Sequence, residues 1–156
     1  MPAEKDHADV LVPPPVALAL SVAAAWLADR LWPAPFLPPG FPRWPAGGVV
    51  IALGLAIALA AIVQFRRAGT AVRPDRPSRA VLTTGPYRWS RNPIYLAMLL
   101  VVAGLAVALD SLWQLAALAV LYGVLRWGVV AREEAYLERK FGAAYRDYAR
   151  RVRRWI

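Results

Sequence analysis

The chain has 156 residues, 59% of them hydrophobic, with a net charge of +9, one histidine and no cysteine. Its length suggests a single domain. The lack of cysteine excludes a disulfide framework and thiolate metal sites, and a lone His7 in a polar leader leaves no basis for a zinc or haem centre. The basic residues cluster between apolar blocks instead of covering a surface, which argues against nucleic-acid binding and for a membrane.

In chain order, residues 1–15 read as a disordered leader. Its acidic start and the Pro13-Pro14-Pro15 run argue against a cleaved signal peptide, although Ala23-Ala24-Ala25 would suit a cleavage site. Apolar runs follow at residues 16–31, 49–65, 94–109 and 112–131. A spanning helix needs about 20 apolar residues and rarely fewer than about 17, so the first and third runs depend on flanking Trp and Tyr. The stretches "VVIALGLAIALAAIV" in the second run and "IYLAMLLVVAGLAVAL" in the third carry no charged, amide or Ser/Thr side chain on any face, where a helix of a water-soluble bundle would repeat polar residues every third or fourth position. The expected fold is therefore all-α and polytopic, with about four transmembrane helices in one domain over residues 16–156 and a cytoplasmic helical segment after the last span. Ala52, Ala56 and Ala60 offer a small-residue stripe for close helix packing. Residues 32–47 form a Pro-rich loop with aromatics suited to the membrane interface.

Charge sets the orientation. Residues 66–92 hold seven arginines against Asp75, and residues 132–156 hold eight basic and four acidic side chains, whereas the Asp110-Ser111 turn has no cation. By the positive-inside rule the two basic segments and both termini are cytoplasmic. The short leader, with Lys5 against Glu4, Asp6 and Asp9, argues only weakly. A bacterial inner membrane is the expected location. The two-residue turn makes the third and fourth runs an antiparallel hairpin, which puts Asn92 and Glu133 at the same end. The fourth helix should continue past Ala131 as far as Gly142, a natural stop. Beyond it Tyr145, Tyr148 and Val152 recur at helical spacing among arginines, as in a helix lying on anionic headgroups.

Asn92-Pro93 is a strong helix start: asparagine is a favoured N-cap, and proline suits the first helical position. This leaves Gly85, Tyr87, Arg88, Arg91 and Tyr95 unexplained. Arginines beside a helix N-terminus favour an anion, but juxtamembrane arginines commonly meet lipid phosphate, and on the residues alone capping with headgroup contact ranks first. Arg126 is seven residues before Glu133, a spacing that puts the two on one helix face, and either snorkels to the interface or pairs within a site. Glu133 and Glu134 read as a solvated face or as partners for a cationic ligand.

The stretches "GPYRWSRNPIY" and "EEAYLERKFGAAYRDYARRVRRW" together resemble the membrane methyltransferases related to isoprenylcysteine carboxyl methyltransferase and phospholipid N-methyltransferase. The matching positions are Gly85, Pro86, Tyr87, Arg88, Arg91, Pro93 and Tyr95, then Glu133, Glu134, Leu137, Phe141, Gly142, Tyr145 and Tyr148. The best-known members have histidine where this chain has Asn92, which cannot take a proton near neutral pH. The resemblance implies S-adenosylmethionine as methyl donor, held within residues 83–154. Arg91 and Glu133 are then the candidate catalytic residues. Gly85, Pro86, Tyr87, Arg88, Asn92, Pro93, Tyr95 and Glu134 are candidate cofactor contacts, and no metal is implied. The implied partners are the bilayer and a lipophilic or lipidated acceptor. A carboxylate or thiolate is favoured over a lipid amine, because an amine must lose a proton and a Glu would have to accept it. The alternative is a non-enzymatic helical scaffold with basic loops on lipid.

Overall fold

The computed structural model describes residues 6–70, 72–74 and 76–156; Glu4, Lys5 and Asp75 of the charge balance above lie outside the described residues. Those residues form helices and no strand: α1 (Pro14–Leu31), α2 (Arg43–Arg67), a 3-10 turn (Gly85–Arg88), α3 (Pro93–Leu109), α4 (Leu112–Phe141) and α5 (Ala143–Arg151). α1 and α3 start on Pro14 and Pro93, whose preset φ suits a first helical residue and whose missing N–H leaves nothing unpaired. Two helices are long and apolar enough to cross a membrane, α2 with 25 residues and α4 with 30; α3 is apolar but has 17. Leu20, Leu27, Leu53, Leu55, Leu59, Val120 and Trp127 are all more than half exposed on the helix exteriors. Such an apolar exterior would be a liability in water and is what a lipid environment covers.

α2 packs along α3, α3 folds back on α4, and α4 packs on α1. The expected hairpin is present. Its turn places Asp110 in the left-handed region, and the Ser111 side chain caps α4 by accepting from the Gln114 N–H. The Asp110 carboxylate accepts from the Phe36 and Leu37 N–H groups, both at 2.8 Å, so the Pro-rich segment is pinned across the hairpin turn. Those two backbone donors hold the Asp110 carboxyl below the usual aspartate range.

Four sequence expectations change. Ala52, Ala56 and Ala60 are exposed, and the packing face of α2 is Gly47, Gly54 and Ala61. A Cβ on Gly47 would lie 2.5 Å from the Gly104 carbonyl oxygen, and one on Gly104 would lie 2.8 Å from that of Gly47. Close backbone approach, and not an alanine stripe, joins the two helices.

The fourth helix does run on to Gly142, which terminates it at φ +53, but Val124–Val130 is wound as π-helix. Because π turns take more residues than α turns, the seven-residue spacing does not put Arg126 and Glu133 on one face. Glu133 bonds to Tyr95 instead.

The leader is packed from Asp6 onward. The Ala8 N–H donates to the Pro74 carbonyl, the Leu11 N–H donates to the Gly128 carbonyl in the π segment, and Asp6 pairs with Lys140. Alternating Ala8, Val10 and Val12 supply the apolar side that makes this contact worthwhile.

α5 does not turn its aromatic face to headgroups. Tyr145 and Tyr148 are each 4% exposed and point into the protein, leaving the arginine face outward.

Candidate functional site

The site is built where α2, α3 and α4 end together. The Thr84 hydroxyl donates to Gln64 Oε1 near the end of α2, and Gly85, at φ +58, turns the chain into the 3-10 turn. A Cβ at Gly85 would come 2.7 Å from the Gln64 amide, so glycine meets both the backbone and the space requirement. The turn sends Tyr87 inward, edge-on to Phe65 with ring centroids 5.8 Å apart. The Pro86 carbonyl then accepts from the N–H groups of Trp89 and Ser90.

Asn92 does not cap α3 with its side chain. The buried Ser90 hydroxyl accepts the Asn92 N–H at 3.1 Å, and the Asn92 amide turns away to donate to the Arg154 carbonyl at 3.0 Å. The neighbouring Arg91 N–H donates to the Arg153 carbonyl at 2.9 Å. Proline at the first position of α3 is as expected; asparagine holds the segment after α5.

Across from this start, α4 presents Glu133 and Glu134. The Tyr95 hydroxyl donates to Glu133 Oε1 at 2.9 Å. Glu134 is claimed twice: Arg154 grips it through Nε at 2.9 Å and Nη2 at 2.6 Å, and Arg91 Nη2 lies 3.3 Å from its Oε1. Arg91 Nε is buried with no partner among the described residues. Tyr148 closes the arrangement by donating to the Tyr87 carbonyl at 2.8 Å.

Apart from Arg154, which stands behind Glu134, these side chains line a cavity of about 190 Å³. Of the sequence candidates, Tyr87, Arg91, Asn92, Tyr95, Glu133 and Glu134 are brought together there. Gly85, Pro86 and Arg88 are not: they border a shallow recess with Ala56, Ile57 and Ala60 on the outer side of α2. Pro93 is buried at the helix start and does not line the cavity. Tyr145 and Tyr148, part of the second sequence motif and read from their spacing as one face of a helix lying on headgroups, form a wall. Phe65, Tyr136, leader residues Ala8, Pro14 and Pro15, and loop residues Arg73 and Ser78 are also in the lining without any motif to mark them.

Burial, reinforced by the charge of Glu134 and opposed by Arg91, pushes the Tyr145 hydroxyl up to about 12. Burial likewise raises Tyr87 and Tyr148. All three therefore stay neutral hydrogen-bond donors near neutral pH. No group of three or more His, Asp or Glu among the described residues is placed to hold a metal ion.

An all-helical fold with a lipid-type exterior, and at one end a largely apolar cavity that also carries Arg91, Glu133, Glu134 and several tyrosines, has the character of a membrane protein. Residues 43–144 match the model of the family described as phospholipid methyltransferase, and the chain belongs to that family. The matched region contains Glu133, Glu134 and the whole Gly85 to Tyr95 stretch; Tyr145, Tyr148 and Arg154 lie beyond it.

Among individual proteins, the chain is 34% identical over 77 residues to the nickel-cobalt-cadmium resistance protein NccN of Alcaligenes xylosoxydans xylosoxydans, covering 49% of this chain and 36% of that protein. It is 32% identical over 77 residues to the cobalt-zinc-cadmium resistance protein CzcN of Cupriavidus metallidurans, covering 49% of this chain and 35% of that one. An uncharacterized protein of Haemophilus influenzae is 36% identical over 63 residues, which cover 40% of this chain and all of that protein. The chain thus spans little more than a third of the length of the two resistance proteins it matches.

Proposed function

We propose that the chain transfers a methyl group from S-adenosylmethionine to a lipophilic acceptor reached from the bilayer, with the cavity between the ends of α3 and α4 as its site. Glu133 carries this reading. It is a part-buried carboxylate on the cavity wall, hydrogen-bonded by a neutral tyrosine, with no cationic side chain at ion-pair distance among the described residues. A carboxylate so placed favours a positively charged ligand, since pairing offsets the cost of its burial.

The donor set suits the proposed cofactor. Glu133 can accept from an ammonium group or from ribose hydroxyls, the unpartnered Arg91 Nε can donate to a carboxylate, and the faces of Tyr87, Tyr95 and Tyr145 favour a cation. When bound, S-adenosylmethionine supplies a methyl group on a positively charged sulfur. The chain's own part is to hold an acceptor in line and to exclude water, which the cover of α5 and the leader favours.

A change of emphasis on the acceptor follows. A carboxylate or thiolate would be oriented by Arg91, whose Nη2 is already engaged by Glu134 and whose Nε has no partner among the described residues. A lipid amine would find in Glu133 a carboxylate able to take its proton. The amine is thereby served at least as well as the anionic acceptors. The same reading takes four spans, within α1, α2, α3 and residues 112–131 of α4, with the arginine-rich end on the cytoplasmic side of a bacterial inner membrane.

Calorimetric titration of the detergent-purified protein with S-adenosylhomocysteine tests the site. Binding by the wild type, weakened in Glu133→Gln and Arg91→Ala, is the expected result; no binding by the wild type overturns the reading. Incubating membranes with a labelled methyl donor then separates acceptors, because an ester label is lost in base and an N- or S-methyl label is kept.

A further inference from the structure

Arg154 touches both walls of the cavity. Its carbonyl accepts from Asn92 Nδ2 at the start of α3, and its guanidinium grips Glu134 on α4 with two nitrogens. The backbone beside it is also fastened, by the Arg91 N–H to the Arg153 carbonyl. One residue further on, the Trp155 ring packs against Tyr122 of α4, with centroids 5.4 Å apart. Residues 152–156 therefore cross from one wall to the other, and Glu134, held by Arg154, is the group that pairs with Arg91.

We infer that Arg154 is a positioning residue: it bridges the start of α3 to α4 and, through Glu134, sets the Arg91 guanidinium so that its unpartnered Nε faces the ligand. The inference rests on the proposed site for its ligand but not for its geometry. Glu134 acts in it as a clamp, not as a cofactor contact. A planar fork that meets both carboxylate oxygens fixes direction as well as distance, which a lysine ammonium cannot do.

The test uses the full chain in detergent, with S-adenosylhomocysteine as the calorimetric probe and hydrogen exchange read on peptides covering residues 89–96 and 152–156. Arg154→Ala should weaken binding by roughly tenfold, the loss expected for one charge-assisted contact, and speed exchange in both peptides. Arg154→Lys should recover part of the affinity. Arg151→Ala, which removes the same charge from an exposed side chain, should bind as the wild type does. Because Asn92 acts through the same bridge, adding Asn92→Asp to Arg154→Ala should weaken binding no further. Wild-type affinity and exchange in Arg154→Ala would overturn the inference, as would fully additive losses in the double variant. If Arg154→Ala does not fold, Arg154→Lys decides, and wild-type affinity and exchange there count against the bridge. If the wild type binds no S-adenosylhomocysteine, the methyl-transfer reading fails, yet the exchange data still decide the bridge: faster exchange supports it and unchanged exchange overturns it.

Discussion

Tyr95 and Glu133 are 38 residues apart in the chain and meet at 2.9 Å, the hydroxyl of one wall donating to the carboxylate of the other. The hairpin of α3 and α4 makes the meeting unavoidable once both helices are full length, since each contributes its basic-end residues. Tyr95→Phe removes the donor and keeps the ring, so Glu133 loses its one side-chain partner among the described residues without a change of packing. A hydrogen bond to a charged group contributes about 1.5–3 kcal/mol. Chemical denaturation in detergent should show a loss at the lower end of that range, because Glu133 retains some contact with solvent. Affinity for S-adenosylhomocysteine should fall as well; a variant as stable and as tight as the wild type would remove Tyr95 from the site.

The contact of α2 with α3 makes a second, sharper prediction. Gly47→Val drives side-chain atoms into the Gly104 carbonyl and the Ala108 backbone, neither of which can swing aside. Overpacking of this kind costs about 1–3 kcal/mol, and rigid neighbours put it at the upper end. Gly48→Val changes the adjacent residue in the same way, but its Cβ meets nothing within 4 Å, so the loss should be smaller. Ala56→Leu, on the exposed stripe, should likewise be tolerated. Thermal unfolding of the three variants side by side in one detergent is the measurement, and equal midpoints would refute the glycine contact.

These two cases show what could be read from residues and what could not. Apolar runs, the two-residue turn and the Gly142 stop are local signals, and they yield α2, the hairpin and the end of α4. The hairpin alone then brings Arg91, Asn92 and Tyr95 to Glu133 and Glu134. Partner choice is not local. Along α2, glycines and alanines recur on several faces, and only the facing carbonyls of α3 select Gly47 and Gly54. An amphipathic helix such as α5 declares an apolar side but not whether lipid or protein will cover it. The π turn has no marker in "VLRWGVV", because it depends on what α4 packs against. Ser90 and Asn92 each had the chemistry to cap α3; the carbonyl of Arg154, 62 residues away, decides between them.

The leader gives a prediction in pH. Lys140 donates to Asp6, and the Tyr136 hydroxyl donates to it as well, which together hold the Asp6 carboxyl below the usual aspartate value despite some desolvation. The same bond to Asp6 raises Lys140. A depressed carboxylate contributes stability above its unfolded pKa and loses it as pH falls through the folded value; a raised lysine contributes below its unfolded pKa and loses it as pH rises through the folded value. The attachment of residues 6–12 should therefore hold through the neutral range and loosen in acid below the usual aspartate value and in base above the usual lysine value. Both groups are near the surface, so salt should weaken the attachment across the whole range. Limited proteolysis of the leader at neutral pH, with and without 1 M salt, reads this directly, and cleavage indifferent to salt would show that the apolar contacts of Ala8, Val10 and Val12 suffice.

Position 92 offers the most informative substitution. As a cap, the Asn92 side chain would be replaceable by Asp or Ser, both good acceptors for helix N–H groups. As the donor to Arg154, it needs an N–H and a reach of the right length, which histidine has and Asp lacks. Asn92→His should accordingly keep affinity for S-adenosylhomocysteine within a few-fold of the wild type, while Asn92→Asp and Asn92→Leu lose on the order of tenfold, as removal of a buried donor from a carbonyl partner predicts. The pH profile adds a separate reading. A protonated imidazole remains a donor, so binding by Asn92→His through hydrogen bonding alone should not collapse as pH falls through the ordinary histidine range of about 6.5. A steep loss there would mean that a proton-accepting group at this position meets the ligand itself. The inverse ranking, with Asn92→Asp intact and Asn92→His inactive, would return Asn92 to the role of a simple helix cap.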